Sequence, residues 1–546
     1  MNETTHRGTW GLALGLVVAG AVAVSAQYPA QSQVAPDGTT VVLEDYVDLP
    51  LSSPTHGGVK NQAINFASQL GRVNVIRSEP AAAPQSHSRL LVDDQSGTLY
   101  FLDKTSKQFT AYLRFPDLFP KFVSDTGLAT GIVSVAFAPD YATSGKFYTV
   151  HVEKPDMPGM ATISGYSVTP VVVPPLGTVR FESVIVEWTD TNIRNATFEG
   201  TARELLRVGY ERNHPVGEVI FNPTARPGTP DFGNLYIASG DGAQGEAPGA
   251  QHLLPQRLDN LMGKILRIRP DLTPRAGTVV SANGRYRIPL AGPDANPLVA
   301  VPGSRPEIYA YGFRNPHRLA WDLQTKALLA NDIGLHTWEE VDVVTKGGNF
   351  GYAEREGHEQ VFVDKDHPGV TGSRMVPPVP FPDPDVLTVD GLAKAVVPVY
   401  PVVLYSHQDG DSIGSGVVYR GKRLPQLRGK YVFNDMTSGR IFYADLAEML
   451  AAGGQRNRQA TVHELQVVYK GEKRRMFDIV AEAFARKGGT HAANHVLPAN
   501  APSTNRPDRN GVPLGGGRVD IRIAADGDGE LYVLGKTDGT IRAMVK

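Results

Sequence analysis

The sequence contains no cysteine, so disulfide bonds and thiolate metal sites are excluded in any cellular compartment. A metal ion bound by this chain must therefore use oxygen or imidazole ligands. An excess of charge is also lacking, because 54 basic and 56 acidic residues give a net charge of -2. Since the two signs are interspersed, no basic stripe is available for a phosphate backbone, and nucleic acid is not expected as a partner.

Long apolar runs are scarce, and the clearest one extends from Gly11 to Val24. It follows Arg7 and precedes small residues up to Ala26, which predicts a secretory signal peptide over residues 1–26. The alternative is a membrane anchor, but the run is shorter than the roughly 20 residues that span a bilayer. No later run is long enough either, so we expect a mature periplasmic or secreted protein without a membrane span.

Glycine and proline, with 57 and 41 residues, separate many short apolar runs, which is typical of turns between β-strands. One pattern recurs six times: an apolar strand, a turn rich in Pro, Asp or Gly, and a second strand. The copies are 89–103, 133–153, 217–241, 317–334, 416–435 and 521–545.

A single hairpin cannot bury its own apolar face, so six copies predict radial repetition in an all-β fold, a six-bladed β-propeller. A β-sandwich or barrel would also contain many hairpins, but long loops such as 270–305 and 355–398 favour a propeller. We expect helices only near 446–453 and 478–486. The predicted domains are the signal peptide, an irregular N-terminal arm over 27–61 and the propeller over 62–546.

Two loop segments carry candidate catalytic groups. His214 stands just before the strand that begins near Gly217, where an imidazole could reach a central cleft and act as a general base. Arg314 and Asn315 stand between two apolar strands and could donate hydrogen bonds to an anionic or carbonyl ligand. The alternatives are a loop histidine satisfied by the backbone and an arginine that bridges blades.

A third segment, NDIGLHTWEEVDVV, is rich in hard oxygen ligands. Gly334 and Leu335 could present carbonyl oxygens from a tight turn, and carboxylates surround them; these are Asp332, Glu339, Glu340 and Asp342. Calcium is a candidate here, and a charged hairpin is the alternative. The segments SGDGAQGE at 239 and ADGDGE at 525 lack the full spacing of a calcium loop and are interpreted as turns.

An ordered series of blocks resembles the soluble glucose/sorbosone dehydrogenase family, quinoproteins that use pyrroloquinoline quinone (PQQ). The blocks occur in the family's order between about Gly131 and Leu446; they are GIVSVAFAPDYATSGKFY, NHPVGEVIF, GNLYIASGDG, LMGKILRIRPD, PEIYAYGFRNP, WEEVDVVTKGGNFGY, YSHQDGDSIGSGVVYRG and GKYVFNDMTSGRIF. The resemblance implies a six-bladed propeller that stacks cofactor and sugar at one end of its channel. It also implies a small-molecule sugar substrate and an external electron acceptor.

The resemblance also implies residue roles. His214 would be the base that takes the proton of the sugar C1 hydroxyl while hydride passes to the quinone C5 carbon. Arg314 and Asn315 would hold the quinone, with Arg314 stabilising developing negative charge. The carbonyls of Gly334 and Leu335 would hold the calcium ion that binds the cofactor, and a structural calcium site would lie near Glu339 and Glu340.

Departures from the family pattern concern the cofactor contacts. Asn213 replaces an aspartate before the base, Thr437 replaces a lysine, and Ala129 or Thr130 stands where a glutamine is expected. For two late cofactor arginines the chain offers Arg522, with other cations nearby or earlier in the chain; these are Arg518, Lys473, Arg474 and Arg475. Because fewer cations would weaken binding of a tricarboxylate, two alternatives stay open. They are a non-catalytic propeller that binds carbohydrate or protein, and a calcium-dependent lactonase.

Overall fold

The structure is a computed structural model that describes residues 34–53, 55–56, 59–60, 70–124, 129–242, 250–335, 337–361, 380–407, 409–488 and 519–546. These residues belong to one unit, Gln33–Lys546. The predicted signal peptide, residues 1–26, lies outside them. Within the described part of the chain, no helix is long and apolar enough to cross a membrane.

Strands dominate the described residues. In chain order they are β1 (Pro36–Asp48), β2 (Thr55–His56), β3 (Val59–Lys60), β4 (Val73–Ser78), β5 (Arg89–Asp94), β6 (Thr98–Asp103), β7 (Phe109–Arg114), β8 (Ile132–Phe137), β9 (Lys146–Glu153), β10 (Val171–Val172), β11 (Phe181–Asp190), β12 (Gly200–Tyr210), β13 (Val216–Phe221), β14 (Leu235–Ser239), β15 (Lys264–Ile268), β16 (Thr278–Val280), β17 (Arg287–Pro289), β18 (Ile308–Tyr311), β19 (Pro316–Trp321), β20 (Leu328–Asp332), β21 (Trp338–Val343), β22 (Arg355–Glu356), β23 (Glu359–Gln360), β24 (Val403–Ser406), β25 (Ile413–Val418), β26 (Lys430–Asp435), β27 (Ile441–Asp445), β28 (His463–Tyr469), β29 (Glu472–Lys473), β30 (Ile521–Ala525), β31 (Leu531–Gly535) and β32 (Thr540–Val545).

Helices are few and short. They are α1 (Phe115–Leu118), α2 (Tyr141–Ser144), α3 (Leu446–Ala452) and α4 (Met476–Arg486), with 3-10 turns at Ala250–Leu253 and Pro425–Leu427. The Asp445 side chain accepts the backbone N–H of Ala447 at 2.9 Å and so caps α3. Gly453 ends the same helix with a φ of 62°, a conformation that favours glycine. The two longer helices confirm the helical segments predicted from the sequence.

Most strands form small sheets in which chain neighbours pair with each other. Three four-stranded sheets have the orders β4-β5-β6-β7, β13-β14-β15-β18 and β19-β20-β21-β24, and a five-stranded sheet has the order β10-β12-β11-β9-β8. A nine-stranded sheet follows β25-β26-β27-β28-β1-β32-β31-β30, with β29 on β28. Apolar side chains pack between neighbouring sheets, as Val150, Leu206 and Val219 do. All six predicted hairpins are confirmed, as β5-β6, β8-β9, β13-β14, β19-β20, β25-β26 and β30-β31.

Six of these strands contact one another in a closed ring: β4, β8, β13, β19, β25 and β30. Arg318 of β19 forms hydrogen bonds to three other strands in the middle of the ring. Its guanidinium donates to Asn74 Oδ1 of β4 at 3.0 Å, to the Val133 carbonyl of β8 at 3.4 Å and to the Gly217 carbonyl of β13. The protein is therefore mostly β, with a propeller-like arrangement of sheets around a centre.

The prediction of an irregular arm over 27–61 was wrong for Pro36–Asp48, which forms the long strand β1. This strand pairs in parallel with β28 and antiparallel with β32, and so joins the two halves of the nine-stranded sheet. Val41 and Leu43 are buried between less buried neighbours, the alternation of a strand with one face on the core. Long-range pairing thus orders a segment whose polar, turn-rich composition indicated a loop.

Candidate active site

A cavity of about 480 Å³ opens where the ring strands begin. Several predicted site residues that are far apart in the sequence line it together; they are Asn213, His214, Arg314, Asn315, Gly334, Leu335 and Arg522. A second cavity of about 390 Å³ lies at the opposite ends of these strands, and Asn74 and Arg318 border both cavities. The predicted residues therefore gather at one end of the ring.

His214 is held by a carboxylate that the sequence analysis did not identify. Its Nδ1 lies 2.6 Å from Oδ1 of Asp241, which is almost fully buried, while the His214 side chain is 13% exposed. Because this contact uses Nδ1, Nε2 is the ring nitrogen for proton exchange with a ligand in the cavity. The pair has the arrangement of a general base with an orienting carboxylate.

The backbone around His214 is tightly constrained. His214 has a φ of 51°, in the left-handed region that non-glycine residues seldom adopt. The neighbouring strand end approaches it so closely that a Cβ on Gly240 would lie 2.5 Å from the His214 carbonyl oxygen. Asp241, the next residue, donates its backbone N–H to the Arg314 carbonyl at 2.8 Å. This backbone contact links the His214 loop to the Arg314 loop.

Arg314 and Asn315 are both buried and owe their position to Asp332 at the end of β20. The two carboxylate oxygens of Asp332 accept the backbone N–H groups of Arg314 and Asn315 at 2.9 and 2.5 Å. The Arg314 guanidinium also donates to the Ile333 carbonyl at 3.0 Å. The geometry thus fixes an arginine and an amide at the cavity wall.

Directly behind this loop, Asp332, Glu340 and Asp342 form a buried acidic cluster, with one ligand oxygen from each within 4.8 Å of the others. Neither carboxylate oxygen of Asp342 has a hydrogen-bond partner among the described residues. Burial, followed by the charges of Glu340 and Asp332, raises the pKa of Asp342 well above its usual value. Burial also raises the pKa of Glu340 to about 7. Three hard oxygen donors with an unpartnered carboxylate fit a calcium ion.

The four predicted metal ligands lie in three places. Gly334 and Leu335 line the cavity, whereas Glu340 belongs to the acidic cluster. Glu339 stays outside that cluster, because its carboxylate lies 2.8 Å from Nε2 of His407 and accepts the backbone N–H of Ile413 at 2.8 Å. Glu339 therefore ties β21 to the start of β25.

Gln95 and Lys536 are two of the cavity residues that the sequence analysis missed, and one predicted residue lies elsewhere. Gln95 lines the cavity and donates from Nε2 to the Thr130 carbonyl at 2.7 Å, beside the place where the family pattern has a glutamine. Lys536 also lines the cavity, 3.1 Å from Asp520. Thr437 is not among the described lining residues, although its neighbour Met436 is. No local signal connects Gln95 or Lys536 with His214.

The cavity wall has an excess of positive charge. Five cationic side chains line it: Arg212, Arg314, Arg318, Arg522 and Lys536. They face two lining carboxylates, Asp411 and Asp520. Such a wall favours an anionic ligand. The propeller-like protein therefore has a histidine–aspartate pair and a cation-rich cavity at one end of its ring.

Comparison with known proteins agrees with this description. Residues 210–384 match the family described as Glucose / Sorbosone dehydrogenase, which confirms the resemblance predicted from the sequence. The HIPL1 protein of Arabidopsis thaliana is 28% identical over 368 residues, covering 63% of this chain and 47% of the plant protein. This chain thus spans about half of that relative's length.

Two further similarities are with bacterial proteins. Quinoprotein glucose dehydrogenase B of Acinetobacter calcoaceticus is 21% identical over 409 residues, covering 74% of this chain and 73% of that protein. The crystal structure of the soluble aldose sugar dehydrogenase from Escherichia coli in its apo form has a TM-score of 0.50 at 17% identity, covering 93% of this chain and 99% of that one. The structural likeness supports the fold.

Proposed function

We propose that this protein oxidises an aldose or related sugar at its C1 hydroxyl, with PQQ as cofactor and an external electron acceptor. The observation that carries the proposal is the His214–Asp241 pair, whose 2.6 Å contact faces a cation-lined cavity. Proton removal from a hydroxyl needs an oriented base, and transfer of two electrons needs an acceptor beside it. The family match over residues 210–384 supports this pairing of base and cofactor.

In the proposed reaction, His214 Nε2 takes the proton of the C1 hydroxyl. Asp241 stabilises the imidazolium that forms, since the carboxylate is buried against Nδ1. Bound PQQ would supply the two-electron acceptor for the C1 hydrogen, leaving the sugar as a lactone. Arg314, fixed by Asp332 and the Ile333 carbonyl, presents a positive charge where negative charge develops.

PQQ fits the cavity by its chemistry. It is a planar tricarboxylate, and the wall carries five cationic side chains. Asn213, Asn315 and Arg522 line the same cavity as donors, and Gln95 provides an amide beside the place where the family pattern has a glutamine and this chain has Ala129 or Thr130. We infer that these groups hold the cofactor, whereas Thr437 is not among the described lining residues.

We propose two calcium sites. The Gly334 and Leu335 carbonyls would hold the ion that binds the cofactor, because both residues line the cavity. A structural ion would bind in the acidic cluster, where Asp342 has two buried oxygens without a partner among the described residues. Glu340 remains a ligand in this proposal, and Asp332 takes the place predicted for Glu339.

We further propose six blades. The ring of six strands supports this count, and so does the parallel β1-β28 pair, since removing it divides the nine-stranded sheet into two smaller ones. Residues 62–546 would then form the propeller, closed by β1 from the preceding segment. The signal peptide over 1–26 and a periplasmic or secreted location complete the proposal.

The decisive experiment adds PQQ and calcium chloride to the purified protein and screens aldoses with a dye acceptor. We expect dye reduction by the wild type and its loss in His214→Ala, while His87→Ala, at an exposed histidine, serves as the matched control. No reduction by the wild type, or full reduction by His214→Ala, refutes the mechanism. A propeller that only binds carbohydrate or protein would give no spectral change with PQQ. A lactonase would acidify a lactone solution while the dye stays oxidised.

A further inference from the structure

Lys264, the first residue of β15, is fully buried and is not among the described residues that line the cavity. Its Nζ donates to the carbonyl oxygens of Leu254, Pro255 and Met262 at 3.0, 2.8 and 2.6 Å. Three converging carbonyl oxygens match the three N–H bonds of an ammonium group and favour the charged form. Burial opposes that form and lowers the pKa of Lys264 well below its usual value. Since the three acceptors lie at both ends of residues 254–263, here called the bracket loop, the side chain ties these ends together.

The bracket loop leads into the sheet between the two segments that carry the candidate site. In the sheet β13-β14-β15-β18, Lys264 pairs with Ser239 at the end of β14 and with Tyr311 at the end of β18. Asp241 follows the first of these strands, and Arg314 follows the second. The start of β15 is therefore flanked by the segment that holds the histidine–aspartate pair and by the segment that holds the arginine.

Backbone hydrogen bonds connect the bracket loop to both of these segments. Gly263 donates its N–H to the Gly240 carbonyl at 3.0 Å, and its own carbonyl accepts the N–H of Phe313 at 3.2 Å. The Pro255 carbonyl, one of the three acceptors above, also accepts the N–H of Gly312 at 3.2 Å. Two of these residues directly precede the aspartate and the arginine of the site, so the loop bonds to the backbone beside each functional group.

The packing on both sides of the bracket loop is close. Gly263 has a φ of 66°, and a Cβ there would lie 2.4 Å from the Phe313 carbonyl oxygen. On the other side, a Cβ on Gly242 would lie 2.9 Å from Cε of Met262. Because the loop touches both neighbours in this way, a displacement of the loop would disturb the two segments together.

We propose that Lys264 is a positioning residue, whose hydrogen bonds to the bracket loop set the placement of the His214–Asp241 pair relative to Arg314. Its effect on catalysis rests on the proposed function, in which the base and the arginine act on one substrate. Without the ammonium group, three buried carbonyl oxygens lose their donor, and the loop must shift to regain partners. A misplacement of about 1 Å between reacting groups is enough to lower a rate roughly a hundredfold.

The first test measures amide hydrogen exchange in the purified full-length protein by mass spectrometry. Lys264→Met keeps the length of the side chain and removes its donors, while Lys422→Met, at an exposed lysine, is the control. We expect exchange at least about tenfold faster in Lys264→Met at the amides of Asp241, Gly312 and Phe313, which are hydrogen-bonded in the wild type. The hairpin β5-β6 should exchange as in the wild type, and so should all of Lys422→Met. This measurement needs no PQQ and is independent of the proposed reaction.

The second test separates placement from folding. PQQ and calcium are added, bound PQQ is counted by absorbance, and dye reduction is expressed per bound PQQ. A variant that is only less stable loses binding sites but keeps its kcat per site. We expect Lys264→Met to retain its sites, with kcat per site lowered at least about tenfold and KM changed less than about threefold. Lys264→Arg keeps a charged donor and should recover part of the loss, and Lys422→Met should match the wild type.

The two tests separate this inference from the proposed function. If folded Lys264→Met exchanges faster only within the bracket loop and keeps its kcat per site, Lys264 has only a structural role and the inference is overturned, while the function stands. If the wild type neither binds PQQ nor reduces the dye, the proposed function is overturned, whereas faster exchange in both flanking segments still supports the placement by Lys264.

Asn260→Ala decides if melting curves show that Lys264→Met is not folded. Asn260 ties the same two ends of the bracket loop, because its Nδ2 donates to the Leu254 carbonyl at 3.2 Å and its Oδ1 accepts the N–H of Met262 at 2.8 Å. We expect the same pattern of faster exchange and lower kcat per site, with a smaller size. A folded Asn260→Ala variant with wild-type exchange in both flanking segments and wild-type kcat overturns the inference.

Discussion

The contact between Asp241 and His214 allows a quantitative prediction. Asp241→Asn keeps the size of the side chain but removes the charge that lies 2.6 Å from Nδ1. A hydrogen bond to a charged group contributes roughly 1.5–3 kcal/mol, and about 1.4 kcal/mol corresponds to a tenfold change in rate. If the bond acts fully in the transition state, kcat should fall roughly 10- to 150-fold.

The assay is dye reduction by the protein loaded with PQQ and calcium, at a saturating concentration of the best aldose. Asp259→Asn removes an exposed carboxylate that pairs with Arg257 and should leave kcat unchanged. Circular dichroism and melting curves establish that both variants are folded. A folded Asp241→Asn variant with kcat within about threefold of the wild type would refute the orienting role of Asp241.

Three further predictions concern the site and its support. Calcium should raise the melting temperature by neutralising Asp342, with about 2.7 kcal/mol of stabilisation at a hundredfold excess over the dissociation constant. Calorimetry of Asp342→Asn should show no increase in melting temperature on adding calcium. An increase as large as that of the wild type would contradict the acidic cluster as a calcium site. Gly240→Ala places a methyl group 2.5 Å from the His214 carbonyl oxygen, so kcat should fall at least about tenfold and the melting temperature should drop; unchanged values of both would contradict the close approach. Burial opposes ionisation of Glu153, but His151 and Arg207 outweigh burial and lower the pKa of Glu153 to about 2. The stability that this carboxylate contributes is therefore complete above about pH 4.5 and is lost as the pH falls towards 2. The urea midpoint of Glu153→Gln should accordingly decrease less on acidification than that of the wild type.

The hairpins were predictable because their determinants are local. In each copy a turn signal stands between two apolar runs, as in the segment 89–103, and pairing with the chain neighbour follows directly. Strand β1 was not predictable in this way. Its partners, β28 and β32, lie near the other end of the chain. Pro36–Asp48 is extended because it pairs with these two strands, and its own sequence does not indicate this pairing.

The site likewise contains residues that local motifs predicted and residues that only the assembled fold brings to the cavity. His214, Arg314 and Asn315 stand in motifs that carry their own turn and strand signals, and all three line one cavity. Asp241 was interpreted as part of a turn. Nothing in SGDGAQGE indicates that its carboxylate meets the histidine that precedes the first strand of the same hairpin. Gln95 and Lys536 belong to ordinary hairpin turns and reach the cavity because their strands end at it. Which strand supplies a given side chain is a property of the assembled ring.

Asp332 connects the two charged regions of the site. It belongs to the acidic cluster, and its two oxygens also hold the backbone of Arg314 and Asn315 at the cavity wall. Burial, followed by the charge of Glu340, raises its pKa well above the usual value, so ionisation of the cluster without a cation is unfavourable. A cation bound there would favour the ionised form of Asp332, which accepts both N–H groups most strongly. The acidic cluster is thus placed to stabilise the loop that holds Arg314 at the cavity wall.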